Sequence, residues 1–190
     1  MKDEAWLMDS LQGQFLISTR QMPDPRFQEQ VIYLCAHNDD GAMGLVINNP
    51  SRDITLLDVF HGAGLPIPEG SLPPVYIGGP VGMDSGFILY TSDKAGLASL
   101  DVADDIFLSR DMRLLEKIAD GTGPDDYLFL LGYAGWGPGQ LETELMDNGW
   151  LTVPAGKEIL FHTDNDSKWK MAASAYGIDI SVFGDVIGYA

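Results

Sequence analysis

Short apolar runs, each bounded by glycine, proline or acidic turn residues, most constrain the fold of this 190-residue chain. The runs at 13–19 (GQFLIST) and 31–37 (VIYLCAH) are rich in β-branched and aromatic residues, and MPDPRF breaks the chain between them, so both predict β-strands. The second run is apolar on both faces, which is typical of a strand in the middle of a sheet. Residues 38–41 (NDDG) then turn the chain into AMGLVIN, and we expect a hairpin there.

The rest of the chain predicts strands and helices in irregular alternation. Further strands are expected at PVYIG (74–78), GFILYT (86–91), DIFLS (105–109) and YLFLLGYA (127–134). Helices are expected at 55–60, 111–120, 138–148 and 167–177. The order shows neither the βαβ rhythm of a doubly wound sheet nor the rhythm of a sandwich. We therefore predict a single mixed α+β domain that spans residues 1–190.

Charge restricts the partners of this chain. Lys and Arg number 11 against 28 Asp and Glu, which gives a formal net charge of -17. Such a surface repels DNA, RNA and anionic lipid, because non-specific affinity for nucleic acid comes mainly from basic residues that displace phosphate counterions. We expect no direct contact with nucleic acid or membrane, and partners that are basic proteins or cations.

The sequence also indicates a compartment. Cys35 is the single cysteine, which excludes an intramolecular disulfide and gives no sign of an oxidising environment. The first residues, MKDEAWLMDSLQ, lack the basic and apolar regions of a secretory signal. A cytoplasmic protein is therefore expected.

The most distinctive stretch is GYAGWGPGQLETEL, residues 132–145. A glycine-rich turn that opens a helix can bind a phosphate group. The stretch has no Lys at the P-loop spacing, and Glu142 and Glu144 near the start of the helix repel an anion. The glycines are better interpreted as sites of positive φ or of close packing around Trp136. Trp136 itself is expected to be a core or rim aromatic, with the wall of a small-ligand pocket as the alternative.

Other motifs do not complete a catalytic or metal site. GMDSG at 82–86 places Ser85 fourth rather than central, so we expect a tight turn between two strands and not a nucleophile elbow. His37, His61 and His162 are far apart in sequence, and no zinc motif is present, so we predict no metal and no cofactor. His37, with Asp39 and Asp40 in the turn after it, could bind a metal or transfer protons, but a solvated residue at a strand end is the preferred interpretation.

Arg110, Arg113 and Lys117 form the only local basic stripe. Their i, i+3, i+7 spacing would place them on one face of a helix. The stripe could contact an acidic partner. The preferred interpretation is a solvated face, or one that pairs with acidic residues of the same chain such as Asp101, Asp104 and Asp105.

Four stretches together resemble one family. They are GAMGLVINNP (41–50), PVYIGGPV (74–81), LGYAGWGPGQLETEL (131–145) and NGWLTVPA (148–155). This combination is similar to the AlgH/YqgE family of bacterial proteins. The resemblance implies a compact α+β domain with a bent, partly barrel-like sheet surrounded by helices. It also implies no established activity, only a label of transcriptional regulator, and this chain shows no helix-turn-helix with a basic recognition helix.

The chain departs from that family at several positions. Relatives commonly have arginine where Ser85 stands, and histidine where Tyr90 and Tyr189 stand. A basic residue is usual in place of Asn49. An Arg/His pair that served relatives would therefore be missing here. His37 and Asp84 do match the family, and with Trp136 they are the candidate ligand-binding residues.

These observations leave three functional hypotheses. The first is a non-enzymatic binding or regulatory protein that acts through a protein partner, with Arg110, Arg113 and Lys117 as candidate contacts. The second is a small-molecule-binding protein or an enzyme, with a pocket between the loops 78–86 and 132–139. The third is the transcriptional regulator of the family label, without direct DNA binding. No catalytic residue is assigned.

Overall fold

The computed structural model describes residues 9–183, and these contain nine β-strands and five α-helices. The strands are β1 Gln14–Ser18, β2 Val31–Asn38, β3 Gly41–Val46, β4 Val75–Ile77, β5 Val81–Tyr90, β6 Leu100–Ala103, β7 Ile106–Ser109, β8 Tyr127–Trp136 and β9 Trp150–Pro154. The helices are α1 Leu56–Gly62, α2 Arg113–Ala119, α3 Gln140–Met146, α4 Lys157–Phe161 and α5 Asn165–Ser174. A short 3-10 helix covers Pro25–Phe27.

All nine strands belong to one mixed sheet. Along its main path the order is β6-β7-β5-β8-β3-β2-β1-β9, with antiparallel neighbours, and β4 pairs with β8 in parallel. The predicted β2–β3 hairpin is confirmed, with Asn38 opposite Gly41. β2 lies between β3 and β1, and its two faces enter different apolar clusters, which explains why its sequence is apolar throughout.

The sheet curls around a single inner core. One apolar cluster takes buried side chains from all nine strands, including Phe15, Val102 and Val153, which a flat sheet of this width could not bring together. The side-chain amide of Gln12, just before β1, donates to the Val102 carbonyl at 3.0 Å and so ties the start of β1 to edge strand β6. Within residues 9–183 no strand pairing joins β6 to β9, so the barrel stays open. The predicted bent α+β sheet is confirmed.

Helices cover both faces of the sheet. α5 fills the inner face with Trp169, whose indole donates to the Ser18 carbonyl at 2.8 Å. On the outer face α1 and α2 pack over β5 and β8, and α3 packs Leu141 over β2 and β3. Among residues 9–183, no helix is both long and apolar enough to cross a membrane.

Lys168 of α5 is almost fully buried, with 1% of its surface exposed. Its ammonium donates to the carbonyls of Ile47 at 2.7 Å and Leu160 at 3.3 Å, and lies 5.0 Å from the centroid of the Tyr76 ring. Burial lowers the pKa of this ammonium from 10.5 to about 8. In residues 9–183 no carboxylate pairs with it.

Several predicted elements are wrong in position or type. The segment 82–86 is not a tight turn but lies inside β5, where the pairing with β8 shifts register between Val81 and Gly86. α3 begins at Gln140 rather than at residue 138, because Gly139 immediately before it has a left-handed φ of 72°. β6, β9 and α4 were not predicted. Tyr189 lies outside the described residues.

The link between β4 and β5, residues 78–80, crosses β8 in close backbone contact with it. Gly132 has a φ of 72°, and a Cβ added to it would lie 2.5 Å from the carbonyl oxygen of Gly79. The two glycines therefore let the link cross β8 in direct contact with it. This crossing places Pro80 and Val81 beside the end of β8.

Candidate functional site

A solvent-accessible pocket of about 510 Å³ lies at the end of β8, on the outer face of the sheet. We call it the aromatic pocket and define it by Met22, Phe27, Val81, Trp136, Glu144 and Trp150. Its walls come from the segment before β2, the β4–β5 link, the end of β8, α3 and the start of β9. Its volume falls in the range of about 300–1,000 Å³ that is usual for ligand sites.

Glu144 organises this pocket. One carboxylate oxygen, Oε2, accepts hydrogen bonds from the indole N–H of Trp136 at 2.9 Å and from that of Trp150 at 2.7 Å. Oε1 accepts from the side-chain amide of Gln140 at 3.2 Å. Hydrogen bonds to an ionised acceptor are stronger than neutral ones, so the carboxylate holds both rings in place.

The aromatic rings form a connected wall. Trp136 and Trp150 meet edge to face, with ring centroids 6.2 Å apart and planes at 77°. Phe27 meets Trp150 in the same way at 5.8 Å. Such contacts stabilise a pair beyond the burial of its area. The wall is therefore built before any ligand arrives.

Local sequence explains how Glu144 reaches both indoles. Trp136 ends β8, and the left-handed Gly139 then starts α3, whose Leu141 anchors the helix in the outer core. After α3 the chain reverses through Asn148, which has a φ of 58°, and enters β9 at Trp150. The helix thus lies between the two tryptophans in sequence, and its Glu144 reaches both indole N–H groups.

The charges at the pocket are mainly negative. Arg26 contributes the one basic side chain among the lining residues, and it forms a 2.6 Å ion pair with Asp24. The hydrogen bond from Arg26 also holds the pKa of the Asp24 carboxyl below its ordinary value. Glu144 and Asp147 add two carboxylates, and within residues 9–183 neither has a basic partner at ion-pair distance.

His37 has a structural role in the protein. Its Nδ1 accepts a hydrogen bond from the backbone N–H of Leu11 at 3.0 Å, so the ring proton of the neutral imidazole is on Nε2 and is donated to Glu142 at 2.7 Å. This hydrogen bond is the main reason why the pKa of the Glu142 carboxyl lies below its ordinary value. The histidine is only 8% exposed, so its interpretation as a solvated strand end was wrong.

The three candidate ligand-binding residues do not converge. His37 and Trp136 lie in one row across the sheet, each opposite Ala42 in register, and α3 contacts both through Glu142 and Glu144. Only Trp136 lines the aromatic pocket. Asp84 is exposed on β5 and lines no part of the pocket.

The pocket nevertheless involves both loops named in the second hypothesis. Pro80 and Val81 come from 78–86, and the segment 134–136 comes from 132–139. The walls formed by residues 21–27 and 144–150 were not expected from the sequence. Their only signal is the pair of tryptophans that flanks Glu144 in the chain.

The three basic candidates do not share a helix face. Arg110 precedes α2, with its guanidinium 5.3 Å from the centroid of the Phe87 ring. Arg113 forms a 2.6 Å ion pair with Asp111, an acid outside the predicted 101–105. Only Arg113 and Lys117 are in the helix, so the expected stripe fails because α2 begins three residues after Arg110.

Comparison of this chain with known protein families and sequences identifies its family. The family model described as "DUF179: AlgH-like" matches residues 15–181. The chain belongs to the AlgH-like family. This AlgH-like chain is 48% identical over 182 residues to a UPF0301 protein of Desulfotalea psychrophila, with 96% of each chain covered. It is 43% identical over 187 residues to a UPF0301 protein of Serratia proteamaculans, with 95% of this chain and all of that protein covered.

Solved structures agree with the fold of the AlgH-like chain. The solution structure of AlgH from Pseudomonas aeruginosa matches with a TM-score of 0.75 at 40% identity, over 96% of this chain and 97% of that one. A crystal structure of a Corynebacterium diphtheriae protein matches with a TM-score of 0.70 at 22% identity over 90% of each chain, which bears on the fold alone. The resemblance stated from sequence is confirmed.

Among residues 9–183 of this AlgH-like protein, no group of three or more histidine, cysteine or acidic side chains is arranged to hold a metal ion. Tyr90, one of the positions at which a departure from the family is expected from the sequence, is 1% exposed and donates its hydroxyl hydrogen to Asp93 at 2.8 Å. Burial is the largest cause that raises the pKa of this hydroxyl. Tyr90 therefore serves the packing of the outer core under α1 and α2.

Proposed function

We propose that this AlgH-like protein is a cytoplasmic, non-enzymatic binding protein that acts through a protein partner, and that the aromatic pocket is its recognition site. One observation carries the proposal. A single carboxylate, Glu144, fixes two indole rings at the wall of an open cavity. Tryptophan is enriched among the residues that contribute most to binding energy at protein interfaces.

The surroundings of the pocket support recognition of a protein more than catalysis. Val81 at its edge and Met83 two residues further along β5 are 42% and 52% exposed, which extends an apolar surface beyond the cavity. Such exposed apolar patches mark interaction sites. His37, the histidine that contacts α3, has both ring nitrogens in hydrogen bonds, with Leu11 and with Glu142, so neither is left to transfer a proton to a substrate.

A second candidate function rests on the size of the cavity. A pocket of about 510 Å³ with aromatic walls can also take a small molecule. In that case a low-molecular-weight ligand would occupy the pocket without a partner protein. Direct DNA recognition has no such support, because the net charge of -17 repels phosphate. A regulatory role without DNA contact is compatible with the leading proposal.

Affinity capture from the native cell tests the proposal with four forms of the protein. Phe27→Ala removes one wall of the pocket. Phe107→Ala is the matched control, because Phe107 is also partly buried and also packs on one ring, that of Tyr90 at 5.8 Å. Arg113→Glu tests the basic surface of α2. We expect wild type, Phe107→Ala and Arg113→Glu to retain one shared partner, and Phe27→Ala to lose it.

Retention of that partner by Phe27→Ala would contradict the aromatic pocket as the contact. Loss by Arg113→Glu alone would place the contact on α2 instead. If no variant captures a protein and a small molecule copurifies with wild type only, the second candidate function replaces the first.

A further inference from the structure

The polar groups of the aromatic pocket favour a positively charged occupant. Asp24, Glu144 and Asp147 line it together with one base, Arg26, whose guanidinium is already paired with Asp24. Two carboxylates are left without a cationic partner in the described part of the chain. An anion entering this cavity would meet like charge, whereas a cation would neutralise it.

Glu144 is suited to contact such a cation. Its three donors, the indoles of Trp136 and Trp150 and the amide of Gln140, are all neutral groups. They fix the carboxylate in place and leave its negative charge uncompensated. A carboxylate has about four acceptor positions, so one remains for an incoming N–H donor.

The walls are suited to an alkyl stem. Met22, Phe27 and Val81 present apolar surface to the same cavity as the carboxylates. Lysine and arginine combine a methylene stem with a charged head, and they bury the stem on apolar surface while the head keeps polar partners. Aromatic rings also attract the head by their quadrupole.

We propose that the aromatic pocket takes the basic side chain, lysine or arginine, of the partner protein. This inference rests on the proposed function and names the chemistry of its partner. The occupant belongs to a protein segment rather than to a free amine because the exposed Val81 and Met83 offer apolar contacts to the residues beside it. The net charge of -17 attracts a basic segment to this surface.

Titration by NMR with four-carbon probes whose head groups are positive, neutral or negative tests the inference. The indole N–H signals of Trp136 and Trp150 report on the pocket, and that of Trp169, buried against Ser18, is the internal control. The probes are n-butylammonium, n-butanol and butyrate. We expect n-butylammonium to shift both pocket signals and to bind about ten-fold more tightly than n-butanol, with no shift from butyrate.

Two tripeptides separate a protein side chain from a free amine. Acetyl-Leu-Lys-Leu-amide is compared with the same peptide containing norleucine, which has the lysine stem without the charge. The lysine peptide is expected to bind about ten-fold more tightly than both the norleucine peptide and n-butylammonium. Equal affinity for the lysine peptide and n-butylammonium would overturn the assignment to a protein segment.

Variants of the pocket carboxylates test which residues cause the preference for n-butylammonium over n-butanol. Glu144→Gln is expected to remove the preference for n-butylammonium over n-butanol, whereas Glu158→Gln, an equal charge change on α4, preserves it. Asp147 is exposed, and neither indole donates to its side chain, so Asp147→Asn keeps the tryptophan hydrogen bonds intact. A several-fold loss of the preference for n-butylammonium over n-butanol in this variant therefore reports the lost charge and not misfolding. Unchanged preference in both pocket variants would overturn the inference.

The two proposals fail in different ways. Equal shifts from n-butylammonium and n-butanol, or binding of butyrate, would overturn the cationic occupant while the Phe27→Ala capture result could still stand. Capture that is insensitive to Phe27→Ala would overturn the pocket itself.

Discussion

The buried Lys168 makes a quantitative prediction about stability and pH. Its ammonium has two carbonyl acceptors and an aromatic neighbour but no carboxylate within residues 9–183, and burial lowers its pKa to about 8. The unfolded chain keeps the ordinary value of 10.5. Between these values the unfolded state binds more protons than the folded state, so the free energy of unfolding rises with pH.

The magnitude follows from the difference between the two pKa values. Each pKa unit corresponds to about 1.4 kcal/mol, so the contribution of Lys168 rises by about 3 kcal/mol between pH 8 and pH 10.5. Below pH 8 the cost of the buried charge is constant. Above pH 10.5 the lysine is neutral in both states and contributes no further change.

Urea unfolding of wild type and Lys168→Met at several pH values between 7 and 10 measures this contribution. Methionine fills a similar volume without a charge. Cys35, whose thiol pKa is raised by burial, makes both proteins less stable at high pH, and this effect cancels in the difference. We expect the unfolding free energy of wild type minus that of Lys168→Met to increase with pH. The same pH dependence in both proteins would refute the reasoning.

Two further predictions concern the walls of the pocket and the crossing over β8. Glu144→Ala should lower the free energy of unfolding, measured in urea, by about 2–4 kcal/mol, because two indole N–H groups lose their acceptor. The control Glu158→Ala should change this free energy by less than about 0.5 kcal/mol. Equal effects of the two substitutions would contradict the role of the Glu144 carboxylate. Gly132→Ala and Gly139→Ala both place a side chain at a φ of 72°, but only at Gly132 does the added Cβ meet a backbone oxygen, at 2.5 Å. The Gly139 change should cost about 1 kcal/mol and the Gly132 change at least twice that, measured by thermal unfolding, and a larger cost at Gly139 would contradict the close crossing.

Much of the sheet could be predicted because its central strands are apolar on both faces. β2 is the clearest case, since its alternate residues enter the inner and outer cores. β6 was missed because it is four residues long and has an exposed Asp101. The bulged part of β5 resembles a turn in sequence because glycine and aspartate are common turn residues, whereas pairing with β8 keeps this segment in the strand.

The candidate site could be predicted only in part. Trp136 follows from a motif in one continuous stretch, but its partner Trp150 and the ring of Phe27 reach it through the fold of the sheet. From the sequence, Glu144 is predictable only as a charge that repels anions. Its hydrogen bonds to two indoles depend on the reversal of the chain after α3, which local sequence does not specify.

Hydrogen exchange of the protein with and without its captured partner tests the aromatic pocket as the recognition site. We expect the partner to slow exchange of the Trp136 and Trp150 indole protons and of the backbone amides at 21–27, while exchange of the Trp169 indole proton is unchanged. Protection confined to α2 around Arg113, with the two pocket indoles unaffected, would contradict the aromatic pocket as the recognition site.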